Sequence, residues 1–204
     1  MAKITKITIQ QKDKSRCNVE LDGEFGFSLS ADSLFINRLK VGDELTEKQV
    51  KEYTLDGEKS KALSKAISYV SKTLKTKKQV KTYLYSKGFT DNVVFYVCDK
   101  LIDYGYIDDY EFAKRFIEGN NKTQGKRLLS YKLMQKGVSK SIIDEVLSET
   151  EIPSNDNAVL LAKKHFKNKD KTIENLSKTY KYLIGRGFSY AETEKAISVL
   201  KEEE

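Results

Sequence analysis

The tetrapeptide Lys87-Gly88-Phe89-Thr90 returns as Lys136-Gly137-Val138-Ser139 and again as Arg186-Gly187-Phe188-Ser189. The three glycines are separated by 49 and 50 residues. Internal repeats of this length are typical of arrays in which each unit buries its apolar face against its neighbours. The sequence therefore predicts three copies of one helical unit, with an extended surface as the expected binding region instead of a pocket.

Each copy has the features of a tight corner between two helices. A basic residue ends one helix, glycine takes the left-handed position after it, and Ser or Thr caps the next helix. The apolar residue between glycine and cap is spaced to pack against Val94 in the first copy and Ile143 in the second. In the third copy that partner is Thr193, but Ser189 and Glu192 complete a capping box instead.

Apolar residues recur in register with the glycines. A leucine lies four residues before each glycine, further apolar residues lie nine and ten after it, and another apolar stripe lies upstream. Three stripes per copy predict three helices per repeat. The residues are Leu84, Leu133 and Leu183, then Val97, Cys98, Val146, Leu147, Ala196 and Ile197, and upstream Ala66, Ile67, Val70, Phe112, Ala113, Phe116, Ala158, Leu161 and Ala162.

The N-terminal region has a different pattern, which predicts a small antiparallel sheet. Asp22-Gly23 between the second and third strands is a hairpin signal. Residues 30–38 are predicted as a short helix, residues 41–43 as a turn, and Thr46 as the cap of a helix through about Tyr53. This region is expected to cover the open end of the first repeat, and extra contact with a partner is the alternative. The alternating strand residues are Ile4, Ile7 and Ile9, then Cys17, Val19 and Leu21, then Phe25, Phe27 and Leu29.

Composition excludes several classes of protein. A chain of 204 residues, 39% hydrophobic and with one proline, is expected to be ordered and largely helical. No apolar run reaches the roughly 18 residues of a membrane span and no signal peptide is recognisable, so a cytoplasmic location is expected. His165 is the only histidine, and Cys98 occupies a position that is Leu147 and Ile197 in the other repeats. We therefore expect no enzymatic activity, no metal site and no cofactor.

Positive charge is concentrated in the repeats. Residues 1–57 carry 9 basic and 10 acidic side chains, so the net charge of +7 comes entirely from the rest of the chain. Residues 59–90 contain nine lysines and no acid, and residues 119–143 contain six basic residues and no acid. The acidic residues gather after the glycines. The second helix of each repeat is therefore predicted to be positive.

Two explanations compete for this segregation. A basic residue just before glycine lies at a helix C-terminus, where the helix dipole favours positive charge. The same argument fails for basic residues near or before the start of the second helices, namely Lys77 and Lys78 in the first repeat and Lys122, Lys126 and Arg127 in the second. Charge placed against this preference suggests a polyanionic ligand, such as nucleic-acid phosphates or the acidic wall of a protein filament.

The middle of the chain resembles the signature of the RecX family, the regulatory proteins of the RecA recombinase. The similarity covers roughly residues 58 to 200 and is strongest in the second repeat, where an acidic pair opens the first helix and Lys-Gly follows the second. The residues that carry it are Leu101, Gly105-Tyr106-Ile107-Asp108-Asp109, Phe112-Ala113, Gly125, Leu133 and Lys136-Gly137-Val138.

The resemblance implies a non-enzymatic modulator of RecA that lies along the groove of the RecA–DNA filament. In most family members such a protein represses ATP hydrolysis, strand exchange and co-protease activity, which links it to homologous recombination, DNA repair and the SOS response. We expect a mainly α fold, in which a small N-terminal antiparallel sheet with short helices precedes three tandem three-helix repeats in an elongated, curved array. The expected domains are residues 1–57, 58–107, 108–152 and 153–204.

Two further hypotheses remain open, a non-specific nucleic-acid-binding protein that acts without a recombinase and a helical-repeat scaffold for another acidic partner. Tyrosines interleave with the basic residues, which fits base stacking, but half-buried packing explains Tyr83 and Tyr182 as well. The expected partners are the RecA filament and single-stranded, and also double-stranded, DNA, bound by a monomer. The candidate binding residues are Lys77, Lys78, Lys81, Lys87, Lys122, Lys126, Arg127, Lys132, Lys136, Lys163, Lys164, Lys178, Lys181 and Arg186.

Overall fold

The computed structural model describes residues 1–202 and begins with an antiparallel sheet. The strands β1 (Ala2–Ile9), β2 (Arg16–Leu21), β3 (Glu24–Ser30) and β4 (Glu44–Leu45) are arranged in the order β3-β2-β1-β4. Asp22 and Gly23 connect β2 to β3 with φ angles of 50° and 91°. Two successive positive φ angles are the geometry of a tight hairpin turn, so the predicted hairpin is confirmed.

The sheet differs from the sequence prediction in two respects. The two-residue strand β4 was not predicted, because two residues are too few to show alternation. Strict alternation also fails, since Ile9 and Phe25 were predicted on the apolar face but are each 67% exposed. The register of β1 with β2 shifts between Ile4 and Lys6, and that of β2 with β3 shifts at Val19. Each irregularity changes which face the following side chains occupy.

Ten helices follow in the described residues, and they supply the predicted three helices per repeat. Repeat 1 consists of α2, α3 and α4, repeat 2 of α5, α6 and α7, and repeat 3 of α8, α9 and α10. The helices are α1 (Ala31–Ile36), α2 (Glu47–Val70), α3 (Lys77–Ser86), α4 (Asp91–Asp103), α5 (Asp109–Asn120), α6 (Lys126–Lys136), α7 (Lys140–Glu149), α8 (Ser154–Phe166), α9 (Ile173–Gly185) and α10 (Tyr190–Glu202).

Helix α2 is much longer than the sequence indicated. It begins with the predicted cap, where Thr46 and Gln49 form a reciprocal capping box, but it continues past Tyr53 to Val70. The boundary expected after residue 57 therefore lies inside this helix. Gly57 is buried in this helix, because α2 crosses β3 there and a Cβ atom would overlap the carbonyl oxygen of Ser28.

A buried arginine of β2 forms hydrogen bonds with α2 and with the neighbouring strand. Arg16 is 5% exposed, and its guanidinium donates to the carbonyl oxygens of Gly57 at 2.9 Å and Ser28 at 3.2 Å. It also donates to the Ser60 hydroxyl at 3.3 Å. Burial lowers the pKa of Arg16 from its ordinary value, and these acceptors, together with the charge of the Asp13 carboxylate, compensate the buried guanidinium.

The chain divides into two compact units. The first comprises Met1–Leu74 and Val80–Ile107, which are the sheet and most of repeat 1. The second comprises Lys75–Gln79 and the chain from Asp108 onward, which are repeats 2 and 3 together with the first turn of α3. The sheet and each repeat have separate hydrophobic clusters.

The corner glycines adopt the predicted conformation. The φ angles of Gly88, Gly137 and Gly187 are 81°, 92° and 85°. Ser139 and Ser189 accept hydrogen bonds from the first turns of α7 and α10, as expected of helix caps. The three leucines before the glycines are fully buried, and so is Cys98, which confirms that they belong to the core.

Candidate functional site

The second helices α3, α6 and α9 carry most of the candidate basic residues. In the second compact unit, the starts of α3 and α6 are each in contact with the end of another second helix. We call the residues from the last turn of a second helix through its glycine the corner of that repeat. The corner of repeat 3 lies against the start of α6. The backbone N–H of Gly125 donates to the Arg186 carbonyl at 2.9 Å, and that of Arg127 donates to the Gly187 carbonyl at 3.2 Å. Orphan donors of one helix are thereby satisfied by carbonyls of another.

The corner of repeat 2 makes the equivalent contact with the start of α3. The Thr76 hydroxyl donates to the Lys136 carbonyl at 2.6 Å, and the Lys78 ammonium donates to the Gln135 carbonyl at 3.4 Å. A Cβ atom at Gly137 would overlap the Lys78 side chain. We call this arrangement the corner contact. It occurs twice: the C-terminal carbonyl end of α9 meets the N-terminal amide end of α6, and the carbonyl end of α6 meets the amide end of α3.

The corner contact changes the interpretation of the four basic residues that begin α3 and α6. Positive charge at a helix N-terminus is unfavourable in isolation. In this protein the carbonyl end of the following repeat's second helix lies beside each of these N-termini. The negative partial charge of those carbonyls offsets the electrostatic cost of placing lysine or arginine there. The unfavourable placement of Lys77, Lys78, Lys126 and Arg127 therefore no longer requires an external ligand, and their contact with one stays a prediction.

An acidic residue that the sequence analysis assigned no role completes the contact at α3. Asp108 caps α5 by accepting from the backbone N–H of Glu111 at 2.9 Å. Its neighbour Asp109 accepts from the backbone N–H of Lys77 at 2.8 Å and is half-buried. Burial raises the pKa of Asp109 from its ordinary value. The two residues of the acidic pair thus have separate structural functions, Asp108 within α5 and Asp109 across to α3.

We expect Asp109→Ala to lower the free energy of unfolding by about 1–3 kcal/mol, because it leaves the Lys77 amide without its acceptor. Asp109→Asn keeps an acceptor oxygen and is expected to cost less than half as much. Because the folded-state pKa of Asp109 is raised, wild-type stability relative to Asp109→Asn should increase as the pH falls through that pKa. Urea unfolding at several pH values measures both effects. Equal losses in the two variants would contradict the hydrogen-bond explanation.

The exposed face of α6 presents only some of its predicted basic residues. Lys122, Lys126 and Arg127 are exposed, and the Arg127 guanidinium lies 5.4 Å from the Tyr190 ring centre. Lys132 and Lys136 are partly buried, with the Lys136 ammonium 5.7 Å from the Phe116 ring centre. The same face exposes Tyr131 and Met134, so its chemistry is mixed basic and apolar.

Repeat 3 distributes its candidates over two helices. Lys178 of α9 pairs with Glu174 at 2.7 Å, and the Arg186 guanidinium lies 5.0 Å from the Tyr182 ring centre. Lys181 of α9 is exposed. Lys163 and Lys164 are exposed in the last turn of α8, a first helix, where the helix dipole favours them.

In repeat 1, Lys81 and Lys87 lie near aromatic rings. The Lys81 ammonium is 4.4 Å from the Phe95 ring centre, and that of Lys87 is 5.5 Å from the Tyr83 ring centre. Tyr83 is partly buried and stacks on Tyr69 at 4.2 Å, which supports packing as its role.

No group of histidine, cysteine, aspartate and glutamate side chains within residues 1–202 is arranged to hold a metal ion. Among the helices of the same described residues, none has the length and apolar character needed to cross a bilayer.

Comparison with known proteins identifies related sequences over almost the entire chain. The model of the regulatory protein RecX N-terminal domain matches residues 2–46, that of the RecX first three-helix domain residues 62–101, and that of the second residues 108–147. The chain is 35% identical over 195 residues to the regulatory protein RecX of Clostridium botulinum Eklund 17B, covering 93% of this chain and 92% of that protein. It is 32% identical to RecX of Clostridium tetani, covering 97% and 94% of the two chains.

Solved structures agree with these sequence matches. A crystal structure of a regulatory protein RecX covers 100% of both chains with a TM-score of 0.76 at 28% identity. The structure of RecX from Lactobacillus salivarius covers 71% of this chain and 97% of its own, with a TM-score of 0.64 at 26% identity. Domain matches, identity and fold agree, and the chain belongs to the RecX family of regulatory proteins.

Proposed function

We propose that this protein is a non-enzymatic modulator of the RecA recombinase that binds along the groove of the RecA–DNA filament. Like most members of the family, it represses RecA and so lowers ATPase, strand-exchange and co-protease activity. The observation that carries the proposal is membership of the RecX family along nearly the full length of the chain. We propose the cytoplasm as the place where it acts.

The repeats supply a surface suited to such a partner. Exposed basic residues at the start of α6 lie beside an exposed tyrosine and methionine, namely Lys126, Arg127, Tyr131 and Met134. A surface of this composition suits a filament that offers both phosphates and protein side chains, because lysine and arginine bind phosphate while aromatic and methionine side chains pack against protein.

The alternative is a non-specific nucleic-acid-binding protein that acts without a recombinase. The lysine-rich stretch of residues 59–90, which contains no acid, favours it, because phosphate contact alone needs only positive charge.

Co-sedimentation with RecA filaments and with naked single-stranded DNA at increasing salt separates the two proposals. A filament-specific protein is expected to keep its preference for filaments at physiological salt, whereas a phosphate-only binder loses affinity for both with the steep dependence of counterion release. A RecA ATPase assay on single-stranded DNA, with and without this protein, then measures the sign of regulation. Unchanged ATPase activity at saturating protein would contradict the proposed function.

A further inference from the structure

The corner of repeat 1 differs from the other two corners because, within residues 1–202, no atom lies close to its glycine. A Cβ atom at Gly137 or Gly187 would overlap a neighbouring residue, but one at Gly88 would have no atom within 4 Å. Lys87-Gly88-Phe89 nevertheless keeps the same basic residue and the same left-handed glycine, with a φ of 81°. The corner of repeat 1 therefore has the chemistry of the other two without their packing partner.

The helix that follows this corner is also capped differently. Thr90 occupies the cap position of the 13-residue helix α4 but makes no side-chain capping hydrogen bond, whereas Ser139 and Ser189 do. The carboxylate of Asp91 accepts from the Tyr85 hydroxyl at 2.8 Å. The start of α4 thus lacks the capping side-chain acceptor that the other two corners provide, and it carries the Asp91 carboxylate in its first turn instead.

Helix α2 adds lysines to the same place. Gly88 and Phe89 form one wall of a cleft of about 400 Å³, and α2 forms the other. Lys61 and Lys65 are exposed on successive turns of α2, and neither takes part in an ion pair within residues 1–202. The cleft is lined by Glu58, Lys61, Lys65, Lys87, Gly88 and Phe89.

We propose that this cleft of repeat 1 is a phosphate-binding site for the backbone of single-stranded nucleic acid. Three ammonium groups against one carboxylate in the lining leave an excess of two positive charges around the cleft, and this excess favours an anion. The open glycine leaves room for a phosphate to approach the backbone. The sequence already contained the signal, since Lys61 and Lys65 are one helical turn apart in an acid-free stretch, but only the structure places them against the Lys87 corner.

Phosphate could come from a nucleic-acid backbone or from a free polyphosphate, and the site chemistry is the same for both. Exposed lysine continues along the chain beyond the cleft, with Lys72 in the turn after α2, and this favours an extended nucleic-acid backbone. The role of this cleft in RecA regulation rests on the proposed function. Phosphate binding at the cleft does not, because it can be measured without a recombinase.

The test measures binding of a fluorescent thymidine oligonucleotide of about 20 nucleotides by anisotropy over a range of salt concentrations. The variant is Lys61→Gln with Lys65→Gln in the full chain. The matched control is Lys48→Gln with Lys51→Gln, which removes two exposed lysines from the same helix about 20 Å earlier along its axis. Lys61→Arg with Lys65→Arg keeps the charge and controls for side-chain packing.

We expect the cleft variant to weaken binding at least tenfold at low salt. Its slope of log affinity against log salt should decrease by about 1.4, the value for two lost phosphate contacts on a single strand. The control and the arginine variant should keep the wild-type slope. Equal behaviour of the glutamine variant and its control would overturn the proposal.

Competition with inorganic pyrophosphate identifies the source of the phosphate. If pyrophosphate displaces the oligonucleotide from the wild-type protein only at concentrations high enough to act through ionic strength, the nucleic-acid backbone is supported as the ligand. Displacement by micromolar pyrophosphate overturns that assignment. The proposed function fails separately: an unchanged RecA ATPase rate with normal oligonucleotide binding contradicts regulation but leaves the cleft intact.

Discussion

Gly137→Ala is expected to lower the free energy of unfolding by about 2–5 kcal/mol, whereas Gly88→Ala should lower it by only about 1–2 kcal/mol. Both substitutions place a side chain at positive φ, which costs about 1–2 kcal/mol. Only the alanine at Gly137 also overlaps a neighbour, the Lys78 side chain, and overpacking adds about 1–3 kcal/mol. The difference between the two variants isolates the corner contact.

Gly187→Ala serves as a second case of the same contact. Its Cβ would overlap backbone and side-chain atoms of Leu128, so we expect a loss like that at Gly137. Urea unfolding followed by circular dichroism measures all three variants. Because Gly88 and Gly137 belong to different compact units, a biphasic transition should be fitted unit by unit. Equal losses at all three glycines would mean that the corner contacts contribute nothing beyond local backbone strain.

The features that the sequence predicted correctly follow from local rules. A glycine after a basic residue and before Ser or Thr allows few conformations, so the corners at Gly88, Gly137 and Gly187 were predicted from four residues each. Asp22-Gly23 is similarly restrictive and gave the hairpin. The buried leucines were then predicted from the three copies, because apolar residues that recur at the same distance from each glycine are expected to lie in the core of each repeat.

The features that the sequence did not reveal depend on distant residues. Helix α2 continues past Tyr53 through Gly57, which lies against β3, and no local pattern shows that contact. The contact between Asp109 and the Lys77 amide joins two helices 32 positions apart. For the same reason, the positive charges that begin α3 and α6 looked unfavourable, since their compensating carbonyls belong to the following repeat.

That correction affects the functional prediction for α6. Lys126 and Arg127 lie at the corner contact of repeat 3, and Arg127 also lies near the Tyr190 ring, so their charges have a structural role in addition to any binding role. Charge reversal at both positions is therefore expected to cost some stability. Substitution of both by Gln removes the positive charge without placing a carboxylate beside the carbonyls of Arg186 and Gly187, and it provides a milder second variant.

We expect Lys126→Glu with Arg127→Glu to require at least tenfold more protein to repress RecA ATPase, equivalent to about 1.4 kcal/mol of lost binding. The remaining affinity should depend less on salt, because phosphate contacts have been removed. The matched control is Lys114→Glu with Arg115→Glu, the same pair of residue types, also exposed, on the first helix of the same repeat. The control should repress at close to the wild-type concentration.

The comparison separates a binding surface from a structural one. If both reversals weaken repression equally, only total charge matters and α6 has no special role. If the α6 reversal lowers thermal stability but represses at the wild-type concentration once folded, then Lys126 and Arg127 act only in the corner contact. In that case the segregation of charge in repeat 2 is explained by the alignment of successive second helices, whose carbonyl and amide ends meet at the corners of repeats 2 and 3, and the filament must bind elsewhere on the repeats.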